Sequence, residues 1–302
     1  MGKYGIEIID FFNGFDGKKI RYGIFGEKNY SGIIFILQGR AEYFEKYHHI
    51  ANHYIKKGFL AVTMDWRGQG GSIRELSDSD KGHIKDFSHY QKDFKIFVNL
   101  ISKFLKPQIS VYGIAHSMGG HNLLRYIIEN KGSYFNKIIL SSPMLGIETF
   151  PLPQKIAFFI ARSCVKSGLK NHYVINTGPY KEPDFINNSL TSDYQKFFEN
   201  IFYLRKKREF AIGGPTYSWV YNAFLSMEYI KENILKIDEN VKTKIIYGSN
   251  DRVVKIDLIK KLSKFMSEAP FEIKAGKHEL MMENPEKLKI FLNEADRFFQ
   301  AD

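Results

Sequence analysis

The sequence predicts an α/β fold, a mostly parallel, doubly wound sheet into which a helical segment is inserted. Three observations predict it. Short apolar runs rich in β-branched residues alternate with longer amphipathic stretches over residues 1–145, and again over 236–302. Between them, over 146–235, strand-like runs disappear, aromatic and basic residues mix, and Pro151, Pro153, Pro179, Pro183 and Pro215 interrupt the chain. At one junction between strand and helix a serine stands among small residues.

The elements follow in order. Residues 6–12 and 19–25 form a hairpin joined through the turn formers Asn13-Gly14 and Asp16-Gly17. Residues 33–37 are continuously apolar, as in a strand buried on both faces. A helix is expected over 44–57, ended by Gly58. A strand over 59–64, a Gly-rich loop, a helix over 87–105 stopped by Pro107, and a strand over 109–114 come next. A helix with Leu123, Leu124, Ile127 and Ile128 on its apolar side leads to a strand over 137–140. After the insertion the alternation resumes: strand 244–247, helix 256–266, strand 271–274 and helix 285–299. Residues 1–145 and 236–302 therefore make the core, and 146–235 a lid or cap.

Composition sets the bounds. The 302 residues are 44% hydrophobic, enough for a real core, and 26 Phe and 18 Tyr suit an apolar cavity as well. A single cysteine, Cys164, excludes an internal disulfide and gives no sign of an oxidising compartment. No apolar run approaches the roughly 20 residues that span a bilayer, and no secretory signal is visible, so a soluble, cytoplasmic protein is expected. The net charge of +11 fits either an anionic partner or a chain-wide bias towards Lys, Ile, Asn, Phe and Tyr. No nucleic-acid motif accompanies the charge, so nucleic acid is not an expected partner.

Ile109 to Gly120 carries the most information. It reads as a strand that ends at Ser117, followed by Gly119, Gly120 and a helix. Such a turn strains the serine backbone and brings the residues two before and two after it together, so Ala115 and Gly119 must be small. The hydroxyl is aimed out of the sheet, with the Met118 amide at the helix start beside it. Serine near glycine is common, and an ordinary turn remains the alternative. A serine hydroxyl needs a base, and the base an orienting carboxylate. Reactive groups of such sheets collect at the carboxyl ends of the strands, and there stand Asp251 and His278. The chain order Ser117, Asp251, His278 suits the architecture. Taken singly, Asp251 is also a helix-cap residue and His278 a loop histidine. The loop after residues 33–37 reads Gln38-Gly39-Arg40-Ala41-Glu42, where Gly39 lets the backbone turn tightly and the Arg40 amide becomes the second oxyanion donor. His48, His49 and His53 share a helix without Glu or Cys to complete a ligand set, so neither metal nor cofactor is expected.

These residues resemble the serine hydrolases of the α/β-hydrolase fold, in particular the lysophospholipase L2 and monoacylglycerol lipase group with its serine aminopeptidase S33-type domain. The resemblance rests on Asp65-Trp66-Arg67-Gly68-Gln69-Gly70-Gly71-Ser72, Gly82-His83, Ala115-His116-Ser117-Met118-Gly119-Gly120, Ser142-Pro143-Met144-Leu145-Gly146-Ile147 and Gly213-Gly214-Pro215-Thr216-Tyr217-Ser218-Trp219. Gln69 and the last motif lean towards lysophospholipase L2, whereas Gln38 stands where monoacylglycerol lipases carry His. The resemblance implies that Ser117 attacks an ester carbonyl, His278 moves the proton, Asp251 holds His278, and the Arg40 and Met118 amides receive the oxyanion. It also implies substrate contacts at Gln38, Gly39, His116, Tyr217 and Trp219. His116 and His83 are expected to shape the site or stabilise loops, and neither is placed to be the base.

The expected function is a lysophospholipase acting on single-chain lipid esters. Monoacylglycerol lipase or a broad carboxylesterase is the alternative, and a non-catalytic lipid-binding protein or an aminopeptidase is more remote. On a helix over 155–166, Lys155, Arg162 and Lys166 form a stripe flanked by Phe158 and Phe159, with Ala157, Ile160, Ala161 and Cys164 opposite. Such a helix either rests peripherally on an anionic membrane or covers the pocket with its charges in water. Arg205-Lys206-Lys207-Arg208 is a solvated face or a phosphate-holding group. Oligomeric state is not encoded in any of these patterns.

Overall fold

A computed structural model describes residues 5–149 and 151–301. Its strands are β1 (Ile6–Asn13), β2 (Lys19–Gly26), β3 (Gly32–Leu37), β4 (Phe59–Met64), β5 (Ser110–His116), β6 (Lys137–Ser141), β7 (Lys242–Gly248) and β8 (Phe271–Ile273). They join in one sheet ordered β1-β2-β4-β3-β5-β6-β7-β8. β2 pairs antiparallel with both neighbours and every later pair is parallel, so β2 alone runs against the rest.

Alternation along β3 divides the core. Ile33, Phe35 and Leu37 face a cluster with α2 (Ser88–Ile101), α3 (Met118–Glu129) and α7 (Ile256–Leu262). Ile34 and Ile36 face a second cluster with α1 (His48–Ile55) and α8 (Pro285–Gln300). All six residues of β3 are buried, which explains why they read as a continuous apolar run. α8 begins where Asn284 accepts from the Lys287 amide at 3.1 Å and Pro285 supplies a pre-set first turn.

The elements lie close to their predicted positions, and the differences have local causes. The predicted helix over 44–57 opens with a 3₁₀ turn, Phe44–Tyr47, before α1. β5 runs two residues past the expected 114, because Ala115 pairs with Leu140 and His116 with Ser141. Neither residue is a strong strand former, so pairing rather than propensity extends the strand. Between β6 and β7 lie α4 (Gln154–Lys166), α5 (Tyr194–Lys206) and α6 (Tyr217–Asn233). α4 turns differently from the predicted projection. Ala161 is buried, but Phe158 packs inward on Tyr221 and Phe224, while Ile160 is exposed. The packing partner of α4 is α6, and its aromatic side chains draw Phe158 under the helix.

Phe291 is fully buried between α8 and the sheet. Phe291→Ala should lower unfolding free energy by about 3–5 kcal/mol, read from urea denaturation with an unchanged slope.

Candidate active site

Ser117 sits between the last residue of β5 and the first of α3, at φ 49° and ψ −114°. That is a strained conformation for a residue with a Cβ. Three backbone hydrogen bonds hold it: Ser117 N donates to Ser141 O at 2.9 Å, and the Ser117 carbonyl accepts from the amides of His121 and Met144, each at 3.0 Å. Gly119 is required as predicted, for a different reason. A Cβ there would lie 2.4 Å from Gln38 O and 2.7 Å from Leu37 O, so the loop after β3 excludes any side chain. The same approach places that loop against the head of α3.

His278 follows β8 and Asp251 follows β7. His278 Nδ1 lies 2.7 Å from Asp251 Oδ2, and Nε2 lies 2.9 Å from Ser117 Oγ. All three residues are buried. With Nδ1–H donating to the carboxylate, Nε2 is left to accept from the serine hydroxyl. Burial pushes the Asp251 carboxyl up, yet His278 and the amides of Val253 and Val254 outweigh it and hold it below its ordinary value. The carboxylate therefore stays ionised beside the imidazole ring.

The loop after β3 is fixed from three sides. Gln38 Nε2 donates to Asp65 Oδ1 at 2.9 Å, Trp66 Nε1 donates to the Gln38 carbonyl at 2.9 Å, and the Ala41 amide donates to Gln69 Oε1 at 2.6 Å. Burial drives the Asp65 carboxyl up to about 6 even with Arg21 and the Gly71 amide against it. Ala41 adopts φ 59°, a left-handed turn that nothing in its residue type announced. The Gly39 amide donates to Glu42, whose carboxylate also takes Lys46 Nζ at 2.8 Å; the same ammonium reaches Glu279 at 2.7 Å. Glu42, His116 and Glu279 could group around a metal ion, but Lys46 already brings the cation to both carboxylates. Burial pushes both carboxyls up; Lys46 and the Gly39 amide carry Glu42 below its ordinary value, while Glu279 remains above its own.

The remaining predicted contacts divide. The His116 ring lies 4.7 Å from the His278 ring, and burial takes its imidazole down to about 3, so it is neutral. His83 Nδ1 meets Thr216 Oγ1 at 3.0 Å. Trp219 is buried under the Arg40 guanidinium, 5.3 Å from its ring centre. Tyr217 makes its contacts within the segment between β6 and β7, where its hydroxyl accepts from the Ile175 amide at 3.3 Å. His48, His49 and His53 are directed to Glu45 O, Met281 O and Asp296 respectively. Sequence reasoning missed Glu42, Lys46, Asp65 and Glu279 as supports. Their signal was only that charged residues stand beside buried elements.

Lys46→Met would leave two buried carboxylates facing one another without a cation. A loss of about 3–5 kcal/mol in urea denaturation is expected, largely restored by Lys46→Arg; a loss under about 1 kcal/mol would contradict this.

Residues 28–285 match the family model described as serine aminopeptidase, S33. Lysophospholipase L2 of Escherichia coli strain K12 is 27% identical over 301 residues, covering 95% of this chain and 86% of that protein. A probable lysophospholipase L2 of Haemophilus influenzae is 26% identical over 273 residues, covering 89% and 84%. Among solved structures, a soluble variant of monoglyceride lipase from Saccharomyces cerevisiae aligns over 99% of this chain and 96% of its own, at TM-score 0.80 and 19% identity. Because the family model matches residues 28–285, the chain belongs to the serine aminopeptidase S33 family; it is a carboxylic ester hydrolase of the α/β-hydrolase fold.

Proposed function

We propose that the protein is a lysophospholipase that cleaves the carboxylic ester of single-chain lipids through a Ser117–His278–Asp251 relay. The observation that carries this reading is the unbroken hydrogen-bonded line from Asp251 Oδ2 through His278 to Ser117 Oγ. Ser117 Oγ attacks the ester carbonyl as His278 Nε2 takes its proton. The amides of Arg40 and Met118 receive the charge that develops on the carbonyl oxygen. Collapse breaks the bond to the glycerol oxygen, which takes the proton from His278 and departs. Water then attacks the acyl-enzyme with His278 again as base, and fatty acid leaves. The long relatives named lysophospholipase L2 support the substrate class.

The segment over 146–235 acts as the lid in this reading, and α4 as its contact with an anionic bilayer. No described helix is long and apolar enough to cross a membrane. On α4, Phe159 is 58% exposed, Ile156 47% and Ile160 38%, beside exposed Lys155, Arg162 and Lys166. An apolar and cationic face together suit shallow docking on anionic lipid. The run from Arg205 to Arg208 is less suited to a headgroup, because Arg205 pairs with Glu182, Lys207 with Glu209 and Arg208 with Asp80.

Ser117→Ala should abolish fluorophosphonate labelling and lower kcat by roughly 10³-fold or more with the melting temperature nearly unchanged. Labelling that persists in the variant would overturn the assignment. A panel of lysophospholipids, monoacylglycerols and aminoacyl amides sharing one assay should rank lysophospholipids first. Phe159→Asp should weaken binding to anionic vesicles several-fold while leaving hydrolysis of a water-soluble ester intact; unchanged vesicle binding would remove α4 from the docking surface.

A further inference from the structure

Three arginines of the core region invite comparison. Arg21 pairs with Glu45 and Asp65, and Arg67 with Asp16 and Asp93. Arg40 has no ion pair among the described residues. Its one hydrogen bond from the guanidinium there runs from Nη2 to the carbonyl of Gly213 at 2.6 Å, and its Nε is buried without a partner among those residues. Asp80, two residues before Gly82, is engaged by Arg208 at 2.7 and 2.9 Å. Burial pulls the Arg40 guanidinium down to about 10, with no carboxylate to oppose it. A carbonyl oxygen satisfies a donor but does not neutralise a charge, and an unpaired cation held half-buried, with Nε shut off from water, is costly to keep.

The surroundings accommodate that cation. A Cβ on Gly82 would stand 2.3 Å from Arg40 Nη2, so a glycine there leaves the guanidinium its room. Trp219 lies against the guanidinium, 5.3 Å from ring centre to Cζ. The backbone of the same residue lies in the loop that the Gly119 contact presses against the head of α3.

We propose that the Arg40 guanidinium binds the phosphate of a substrate whose ester carbonyl lies on the Arg40 amide. The inference rests on the reading of this site as one that cleaves single-chain lipid esters, and it names the charge that makes such a lipid preferred. Covalent spacing supports it. Five atoms separate the amide nitrogen of an arginine from Cζ. In a lysophospholipid five atoms also separate the carbonyl carbon from phosphorus: the ester oxygen, three glycerol carbons and the phosphate ester oxygen. One residue thus spans both functional groups, and the planar fork suits two phosphate oxygens. A monoacylglycerol offers the carbonyl and leaves the cation unmet.

The test compares lysophosphatidylglycerol with a monoacylglycerol of the same acyl chain, as a ratio of kcat/KM. Arg40→Met should lower that ratio about 10- to 100-fold, and Arg40→Lys should retain most of it. Equal losses on both esters would overturn the assignment and leave Arg40 a support of its loop. Wild-type protein supplies a measurement independent of folding: a methyl phosphotriester of the same lipid, uncharged at phosphorus, should be cleaved at least 10-fold less efficiently than the diester, and equal efficiency would overturn the proposal. Glycerol 3-phosphate at millimolar concentration distinguishes the source of the phosphate. Inhibition of monoacylglycerol cleavage in wild type that is lost in Arg40→Met supports a site open to free phosphate esters too. No inhibition, with the ratio changed, supports the lipid headgroup alone. Wild-type protein that cleaves neither lipid would overturn the lysophospholipase reading itself, whereas cleavage of both with an unaltered ratio overturns only the role of Arg40.

Discussion

The site depends on one buried ammonium. Lys46 Nζ stands between Glu42, in the loop after β3, and Glu279, next to His278. Glu42 in turn holds the Gly39 amide. The two loops that flank Ser117 are therefore tied to one another by charge and not only by packing. Because both carboxylates and the ammonium are withdrawn from water, their attraction is screened little, and a shift of either loop would strand a charge. A site whose groups must meet within a few tenths of an ångström gains from such an all-or-none constraint.

The sheet supplies the rest of the alignment. Parallel β3, β5, β7 and β8 end on one side, and each contributes its following loop to the same place. The strained backbone at Ser117 is tolerable because Ser141, His121 and Met144 hold it from both sides. Local cost is thereby borne by a core whose two faces are closed independently, one by α1 and α8 and the other by α2, α3 and α7.

Much of this was legible in the chain. Strand periods, turn formers and helix stops located every sheet element to within about two residues, because β3 through β8 sit in a two-sided core that demands apolar runs. The order of Ser117, Asp251 and His278 was legible because each directly follows a parallel strand of the sheet. The supports were not. Lys46 and Glu279 lie 233 positions apart, and no local pattern encodes such a pairing. Ala41 takes a glycine-like turn only because Gln69 and Glu42 hold its neighbourhood. Phe158 points inward since α6 offers it Tyr221 and Phe224, a tertiary choice that helical projection of α4 alone does not contain.

Arg40 contributes to this site through two separable parts. On the proposed mechanism its amide serves the chemistry, and an amide is present in every residue except proline. Its guanidinium is a free choice of side chain. Turnover and headgroup preference thus draw on different parts of one residue, the backbone for the first and the side chain for the second. Among replacements at that position only proline removes the amide itself, so on this reading a change of side chain alters the headgroup a lipid must carry while the donor to its carbonyl stays in place.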